Sequence, residues 1–411
     1  MKYLVSKSVS TLKGSIILPS SKSIANRVLL IHALSNSPYP IENLSDSDDT
    51  RVMNQVLNSN DTQFDIGHAG TAMRFLTAFL SQIVGGWTLT GSDRMKQRPI
   101  GILVDALTKL GARIEYLGNE GFPPLKIYGS HLKGCVIELD GSVSSQYISA
   151  LLMIAPTIEG GLTLRLKNKI MSRSYIQMTL QLMEQFGVQH IWKGNEIRIA
   201  EQTYKARPFS VEADWSGASY WYQMAVLAEE VDLELIGLRT ESLQGDSVIA
   251  QWFEQLGIQT TSTEKGSLLT KNHQQIPKSL RLNFIENPDV AQTFAVLCVM
   301  KHIPFHFSGL ETLKIKETNR IAALQDELAK FGAQLTEPAP GELEWDGSFP
   351  IEKQALPEIE TYHDHRMAMA FAPCCQSFGP IEILDPMVVT KSYPDYWEDL
   401  KRVGFEVKEV V

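Results

Sequence analysis

Several short strings in this sequence collect cations, hydroxyls and carboxylates at spacings suited to holding small anions. Leu18-Pro19-Ser20-Ser21-Lys22-Ser23 sets a lysine and hydroxyls at the start of a helix-like run, with Arg27 about one turn further on. A helix start offers free N–H groups and the positive end of the dipole, so this combination suits a phosphate or carboxylate. It is not a Walker loop, because Ser21 and Ile17 stand where that motif needs glycine. Arg94, Lys96 and Arg98 cluster in a loop ahead of a helix expected to carry Pro99 in its first turn. Ser144, Ser145 and Gln146 supply uncharged hydrogen bonds at another helix start. Lys316 and Arg320, at i and i+4, predict a shared helix face with Glu317 beside it. His363-Asp364-His365-Arg366 opens an otherwise apolar helix, where imidazoles and a guanidinium are costly without a task. The two histidines lack the i, i+4 spacing of a helical zinc pair, so no metal is expected. Asp289, just after Pro288, reads by itself as a helix cap. Taken singly, each string also fits ordinary capping, a surface salt bridge or a solvated charged turn.

The elements that must position these residues repeat. A helix-like run ending in a large apolar residue and then glycine recurs as DALTKLG, LMEQFG, WFEQLG, ELAKFG and DLKRVG, with glycines at 111, 187, 257, 332 and 404. Glycine suits that place because it accepts the left-handed cap, and a β-prone run follows each time. Near-constant spacing predicts five copies of one α/β unit, with room for a sixth at the N-terminus. Between them lie apolar helix-like segments that begin at Ser21, Gly70, Ser144, Ser216, Pro288 and His363. If those six starts point toward one cleft, their fields favour bound anions.

Bulk properties set the limits. A chain of 411 residues implies more than one core, and 44% hydrophobic with 21% charged residues places it among globular proteins. Net charge of −9 argues against nucleic acid as partner, so any anion site is local. Met1 to Ser10 lacks a signal-peptide core and no apolar stretch is long enough for a membrane span, which makes the cytoplasm the expected location. Cys135, Cys298, Cys374 and Cys375 lack CxxC spacing and are expected to be reduced core thiols.

In order, the strings SKSIANR, AGTAMR, RMKQRPIG, GSVSSQY, SRSY, PD at Pro288, KETNR, DHRMAM and KSYPDY closely resemble the enolpyruvyl transferases, in particular the members acting on shikimate 3-phosphate. The resemblance is collinear along nearly the whole chain. It implies an α/β fold of two similar halves built from repeated βαβ-type units, residues 1–19 plus 214–411 forming the lower half and 20–213 the upper, with the site in the cleft between them. It implies transfer of the enolpyruvyl group of phosphoenolpyruvate to the 5-hydroxyl of shikimate 3-phosphate with release of phosphate, by a monomer without cofactor. By matched position, shikimate 3-phosphate would meet Lys22, Ser23, Arg27, Ser144, Ser145, Gln146, Ser172, Tyr175, Asp289 and Lys316. Phosphoenolpyruvate would meet Lys22, Gly70, Arg98, Gln146, Arg320, Arg366 and Lys391. Asp289, Glu317 and Lys22 would share the proton transfers, with Asp289 the candidate for activating the hydroxyl.

The chain also departs from the family pattern. Between Leu57 and Ile66 it has only a short polar bridge, so the first repeat is expected to be truncated; His68, Phe75, Ser20 and Thr312 replace the residues usual at their places. The nearest rival is transfer to UDP-N-acetylglucosamine, whose enzymes use a loop cysteine; none of the four cysteines falls in RMKQRPIG. An inactive anion-binding relative is the other alternative, and it would not need both acid and base.

Overall fold

Six helices in this chain are apolar nearly all round, and that decides the architecture. In the computed structural model, which describes residues 1–272 and 274–410, Trp215–Leu227, Ala291–Met300 and His365–Phe371 are buried at every position. Lys22–Leu34, Gly70–Leu80 and Ser145–Ile154 are buried over most of their lengths. A helix without a polar face has to be surrounded. The chain divides into two units, Ser20–Val211 and Met1–Pro19 with Glu212–Val411. The first unit holds the helices Lys22–Leu34, Gly70–Leu80 and Ser145–Ile154, which pack on one another. In the second, Trp215–Leu227 and His365–Phe371 each pack on Ala291–Met300.

One path recurs around these helices: strand, inner helix, parallel strand, outer helix, antiparallel hairpin. Val136–Asp140 leads through Ser145–Ile154 to Leu162–Lys167, which pairs with it in parallel so that Ile137 faces Leu164. The outer helix Arg173–Gln185 follows, and the hairpin Ile191–Lys193 and Glu196–Ile199 extends the sheet. Alternate residues of Val136–Asp140 are buried and exposed, as in a sheet with one face on a core and one in water. Gln63–Asp65 to Leu125–Tyr128 repeats the scheme. In the other unit Thr11–Ile17 pairs in parallel with Glu230–Ile236. The last sheet there is completed by the chain's own beginning, Lys2–Ser6, between Ile381–Leu384 and Glu406–Val410. The five repeat glycines adopt φ of +102, +84, +90, +93 and +88°, the left-handed closure their pattern called for.

The first repeat is reduced as expected, and the reduction is specific. Its helix Asp48–Leu57 is whole, closed by Asn58, whose Nδ2 donates to the Asn54 carbonyl at 2.8 Å. Its sheet is only two strands, Ile41–Glu42 beside Phe209–Ser210, with no hairpin. The bridge after Leu57 is not all connection, because Gln63–Asp65 is already the first strand of the next repeat.

Other local expectations need correction. Lys316 and Arg320 share no helix face: Lys316 closes the 3-10 turn Glu311–Ile315, while Arg320 begins Arg320–Ala329 behind its Asn319 cap. Pro99 precedes the cap Ile100 of Gly101–Lys109 rather than lying in its first turn. The helices read as starting at Ser216 and His363 are capped by Asp214 and Asp364. Cys135 is exposed on its strand-end loop, whereas Cys298, Cys374 and Cys375 are buried.

Candidate active site

In the unit containing Glu212–Val411, the candidate residues meet around two carboxylates. Pro288–Val290 forms a 3-10 turn before Ala291–Met300, and Asp289 does not cap it. Its carboxylate instead takes Arg366 Nη2 at 3.0 Å, Arg320 Nη1 at 3.2 Å and Lys316 Nζ at 3.3 Å. Burial alone would raise the Asp289 pKa, but Arg366, Lys316 and Arg320 overcome it and hold the carboxyl well below its ordinary range. Glu317, the second carboxylate, takes Lys391 Nζ at 2.6 Å and Arg320 Nη2 at 3.1 Å.

Arg320, with only 1% of its side chain exposed, ties the group together. Asp364 grips it with both oxygens, Nε to Oδ2 at 2.6 Å and Nη2 to Oδ1 at 3.2 Å. Desolvation would lower the Arg320 pKa, yet Asp364, Glu317 and Asp289 raise it. The same Asp364 caps its own helix by accepting from the Arg366 N–H at 3.0 Å, so one carboxylate places both guanidinium residues. Tyr220 sits 3.4 Å from Arg366 Nη1, its hydroxyl pushed up to about 12 by burial against the pull of that cation. Asp246, beneath, accepts from Ser216 and from Asn287 Nδ2. Its pKa is raised by burial, and the charge of Asp289 adds to that.

In the unit Ser20–Val211 the candidates lie at helix starts. Lys22 and Ser23 open the first inner helix, capped by Ser21. Arg27, one turn in, is buried and joins three helices: Nε donates to Thr179 Oγ1 at 2.7 Å, Nη2 to Ser149 Oγ at 3.2 Å and Nη1 to the Ser23 carbonyl at 2.8 Å. Those partners carry no charge, and burial lowers the guanidinium pKa to about 10. Phe75, within the helix Gly70–Leu80, packs beside it, ring centroid 5.4 Å away.

Ser144 caps Ser145–Ile154 by accepting from the Gln146 N–H, and the Gln146 amide reaches Thr71 at 3.2 Å. Ser172 precedes Arg173–Gln185 in a left-handed conformation, φ +53°, which costs a residue with a side chain about 1–2 kcal/mol. Tyr175 lies in the first turn of that helix, half-buried.

Of the cation cluster in RMKQRPIG, Arg98 alone is buried; Arg94 and Lys96 are exposed, Lys96 pairing with Asp93. Arg98 is directed at Gly70. A Cβ there would lie 2.6 Å from Arg98 Nη1 and 2.7 Å from Arg74 Nη1. What needs the bare glycine is thus a pair of guanidiniums, and Arg74 is one the sequence reading missed. Its signal was present in AGTAMR: four residues after Gly70, it folds back to donate to the Gly70 carbonyl at 2.8 Å. His68, next to this turn, has its Nδ1 3.0 Å from Ser92 Oγ.

The profile of the family described as EPSP synthase (3-phosphoshikimate 1-carboxyvinyltransferase) matches residues 6–61 and 56–400. This chain belongs to the EPSP synthase family. A relative from Bacteroides fragilis, named 3-phosphoshikimate 1-carboxyvinyltransferase, is 53% identical over 409 residues, covering 99% of both chains. One of the same name from Vibrio cholerae serotype O1 is 36% identical and covers 98% of this chain and 100% of its own. Among solved structures, EPSP synthase from Acinetobacter baumannii has a TM-score of 0.79 at 21% identity, covering 99% of this chain and all of its own. The enolpyruvyl transferase NikO from Streptomyces tendae has a TM-score of 0.75 at 14% identity, covering 100% of this chain and 99% of its own. At such identities these two speak for the fold alone. The two stretches of the family match meet at residues 56–61, where the first repeat of this EPSP synthase family member lacks its hairpin.

Proposed function

We propose that this protein transfers the enolpyruvyl group of phosphoenolpyruvate to the 5-hydroxyl of shikimate 3-phosphate and releases phosphate. The observation that carries the reading is the pairing of Asp289 and Glu317 with Arg320, Arg366, Lys316 and Lys391. A protein that merely held anions could place its cations with a carboxylate such as Asp364 alone, whereas Asp289 and Glu317 add two more beside the same cations. An addition and elimination needs both a proton donor and a proton acceptor beside groups that stabilise negative charge.

In this reading Arg320, Arg366 and Lys391, with Arg98, Gly70 and Gln146, receive phosphoenolpyruvate. Ser144, Ser145, Ser172, Ser23, Arg27, Tyr175 and Lys316 receive shikimate 3-phosphate. Arg27 is suited to a carboxylate because its present partners leave its charge uncompensated. A proton is added at C3 of phosphoenolpyruvate and the 5-hydroxyl oxygen bonds to C2 as its own proton leaves. The C3 proton is then removed as the C2–O bond to phosphate breaks. Asp289 takes the hydroxyl proton, and Glu317 and Lys22 serve C3. In this reading the protein works as a monomer in the cytoplasm; among the described residues no helix is long and apolar enough to cross a membrane.

Phosphate release tests this directly. Purified protein given both substrates liberates inorganic phosphate, and with either alone it does not. UDP-N-acetylglucosamine offered in place of shikimate 3-phosphate leaves phosphate at background. No release with the expected pair across pH 5 to 9 overturns the proposal.

A further inference from the structure

The acids five residues before the repeat glycines are unequal. In the repeats ending at Gly111, Gly187 and Gly257 that place holds Ala106, Leu182 and Trp252; in those ending at Gly332 and Gly404 it holds Glu327 and Asp399. Both carboxylates are 1% exposed although each has a basic residue three positions on, Lys330 at 2.7 Å and Arg402 at 2.6 Å. An i, i+3 pair formed for the helix alone would sit in water; a buried carboxylate is costly unless it holds something.

Each holds a tyrosine hydroxyl. Tyr362 donates to Glu327 Oε1 at 2.9 Å, and Tyr393 donates to Asp399 Oδ2 at 2.8 Å. The second oxygen of Glu327 also accepts the Glu360 N–H at 3.1 Å, so Glu327 gathers the whole approach to Tyr362. These tyrosines flank the cations of the candidate site. Tyr362 and His363 are consecutive left-handed residues, φ +53 and +55°, immediately before Asp364 and Arg366. Tyr393 stands two residues after Lys391, at the end of the 3-10 turn Pro386–Lys391, and its hydroxyl also receives Trp221 Nε1 at 3.1 Å. That turn starts from another left-handed residue, Asp385, which His363 Nδ1 meets at 3.0 Å. Strained backbone persists only where its surroundings fix it, and these contacts are the fixings.

We propose that Glu327–Tyr362 and Asp399–Tyr393 are paired clamps that position Arg366 and Lys391 for phosphoenolpyruvate, making these four positioning residues. The inference rests on the function proposed above, and it links the buried acids of the last two repeats to the loops that carry those cations, both of which lie between Gly332 and Gly404. Removing a clamp leaves the cations present but less well placed, so the loss falls on one substrate.

The test uses Tyr362→Phe and Tyr393→Phe in the full chain, which delete only the hydroxyls. The KM for phosphoenolpyruvate rises roughly five- to tenfold in each while that for shikimate 3-phosphate stays within about twofold. Glu327→Gln, which keeps an acceptor oxygen, loses less than Glu327→Ala. Unchanged KM for phosphoenolpyruvate in both tyrosine variants, or equal change for both substrates, overturns the clamps. Inactive wild-type protein instead overturns the functional reading, so the two failures are distinct. A melting temperature measured on each variant identifies any that fail to fold; if Tyr362→Phe does, Glu327→Gln against Glu327→Ala decides, and if Tyr393→Phe does, Asp399→Asn against Asp399→Ala decides in the same way.

Discussion

Asp289 concentrates the question of what one residue does here. Its three cationic partners hold it ionised, which suits a proton acceptor but weakens its basicity. An anionic substrate arriving at Arg320 and Arg366 competes for those same cations, so binding itself would return basicity to the carboxylate. Asp289→Asn is therefore expected to lower kcat by roughly 10²–10⁴-fold without raising the KM for phosphoenolpyruvate, as steady-state kinetics would reveal. Near-normal turnover would reduce Asp289 to a counter-ion. The sign of its pH linkage follows from the depressed pKa. Its contribution to stability is complete above the ordinary carboxyl range and is lost as pH falls through the lower folded value. The gap in melting temperature between wild type and Asp289→Ala should consequently narrow on acidification from pH 6 to 3; a constant gap would contradict the ion pairing. None of this was legible in the local sequence, where Asp289 after Pro288 looks like a cap. Its partner Arg366 is 77 residues away, and no periodicity carries information across that distance.

At the scale of elements, the sequence spoke clearly wherever a backbone conformation demanded one residue type. The five glycine closures were readable because only glycine occupies positive φ at little cost, and the structure adopts that conformation at each. Gly257 offers a clean measurement of that cost: φ is +90° and the nearest atom to an added Cβ is 3.9 Å away. Gly257→Ala is expected to cost about 1–2 kcal/mol from strain alone, with Gly257→Asn costing less, both read from urea unfolding. Equal stability of all three would mean that the closure is not under conformational constraint. Less legible were the places where a short turn interrupts a helix pattern. Lys316 and Arg320 have helical spacing, yet Lys316 closes the turn Glu311–Ile315 and the helix of Arg320 begins only after its Asn319 cap, and they converge only because both reach Asp289. The strand Gln63–Asp65 was likewise hidden, being three residues long in a polar stretch.

For the molecule as a whole, the order of the chain makes a testable statement about how function is divided. Ser20–Val211 is one continuous insertion into the unit formed by Met1–Pro19 and Glu212–Val411. Its ends leave and return at neighbouring points, since the Asp214 N–H donates to the Pro19 carbonyl at 2.9 Å. The division of candidate residues follows the same boundary: Lys22, Ser144, Ser172 and Arg98 fall in the insertion, and Asp289, Glu317, Arg320, Arg366 and Lys391 fall outside it. Each unit has its own inner helices buried against its own sheets. Deleting Ser20–Val211 and joining Pro19 to Glu212 through a short Gly-Ser linker should accordingly leave a folded protein, shown by cooperative thermal unfolding and retained helical circular dichroism. That protein keeps both carboxylates and their cations, yet it is expected to release no phosphate from phosphoenolpyruvate and shikimate 3-phosphate, because the hydroxyl-lined helix starts proposed to hold the acceptor are gone. Measurable phosphate release by the folded deletion variant would show that the carboxylate and cation cluster suffices without them.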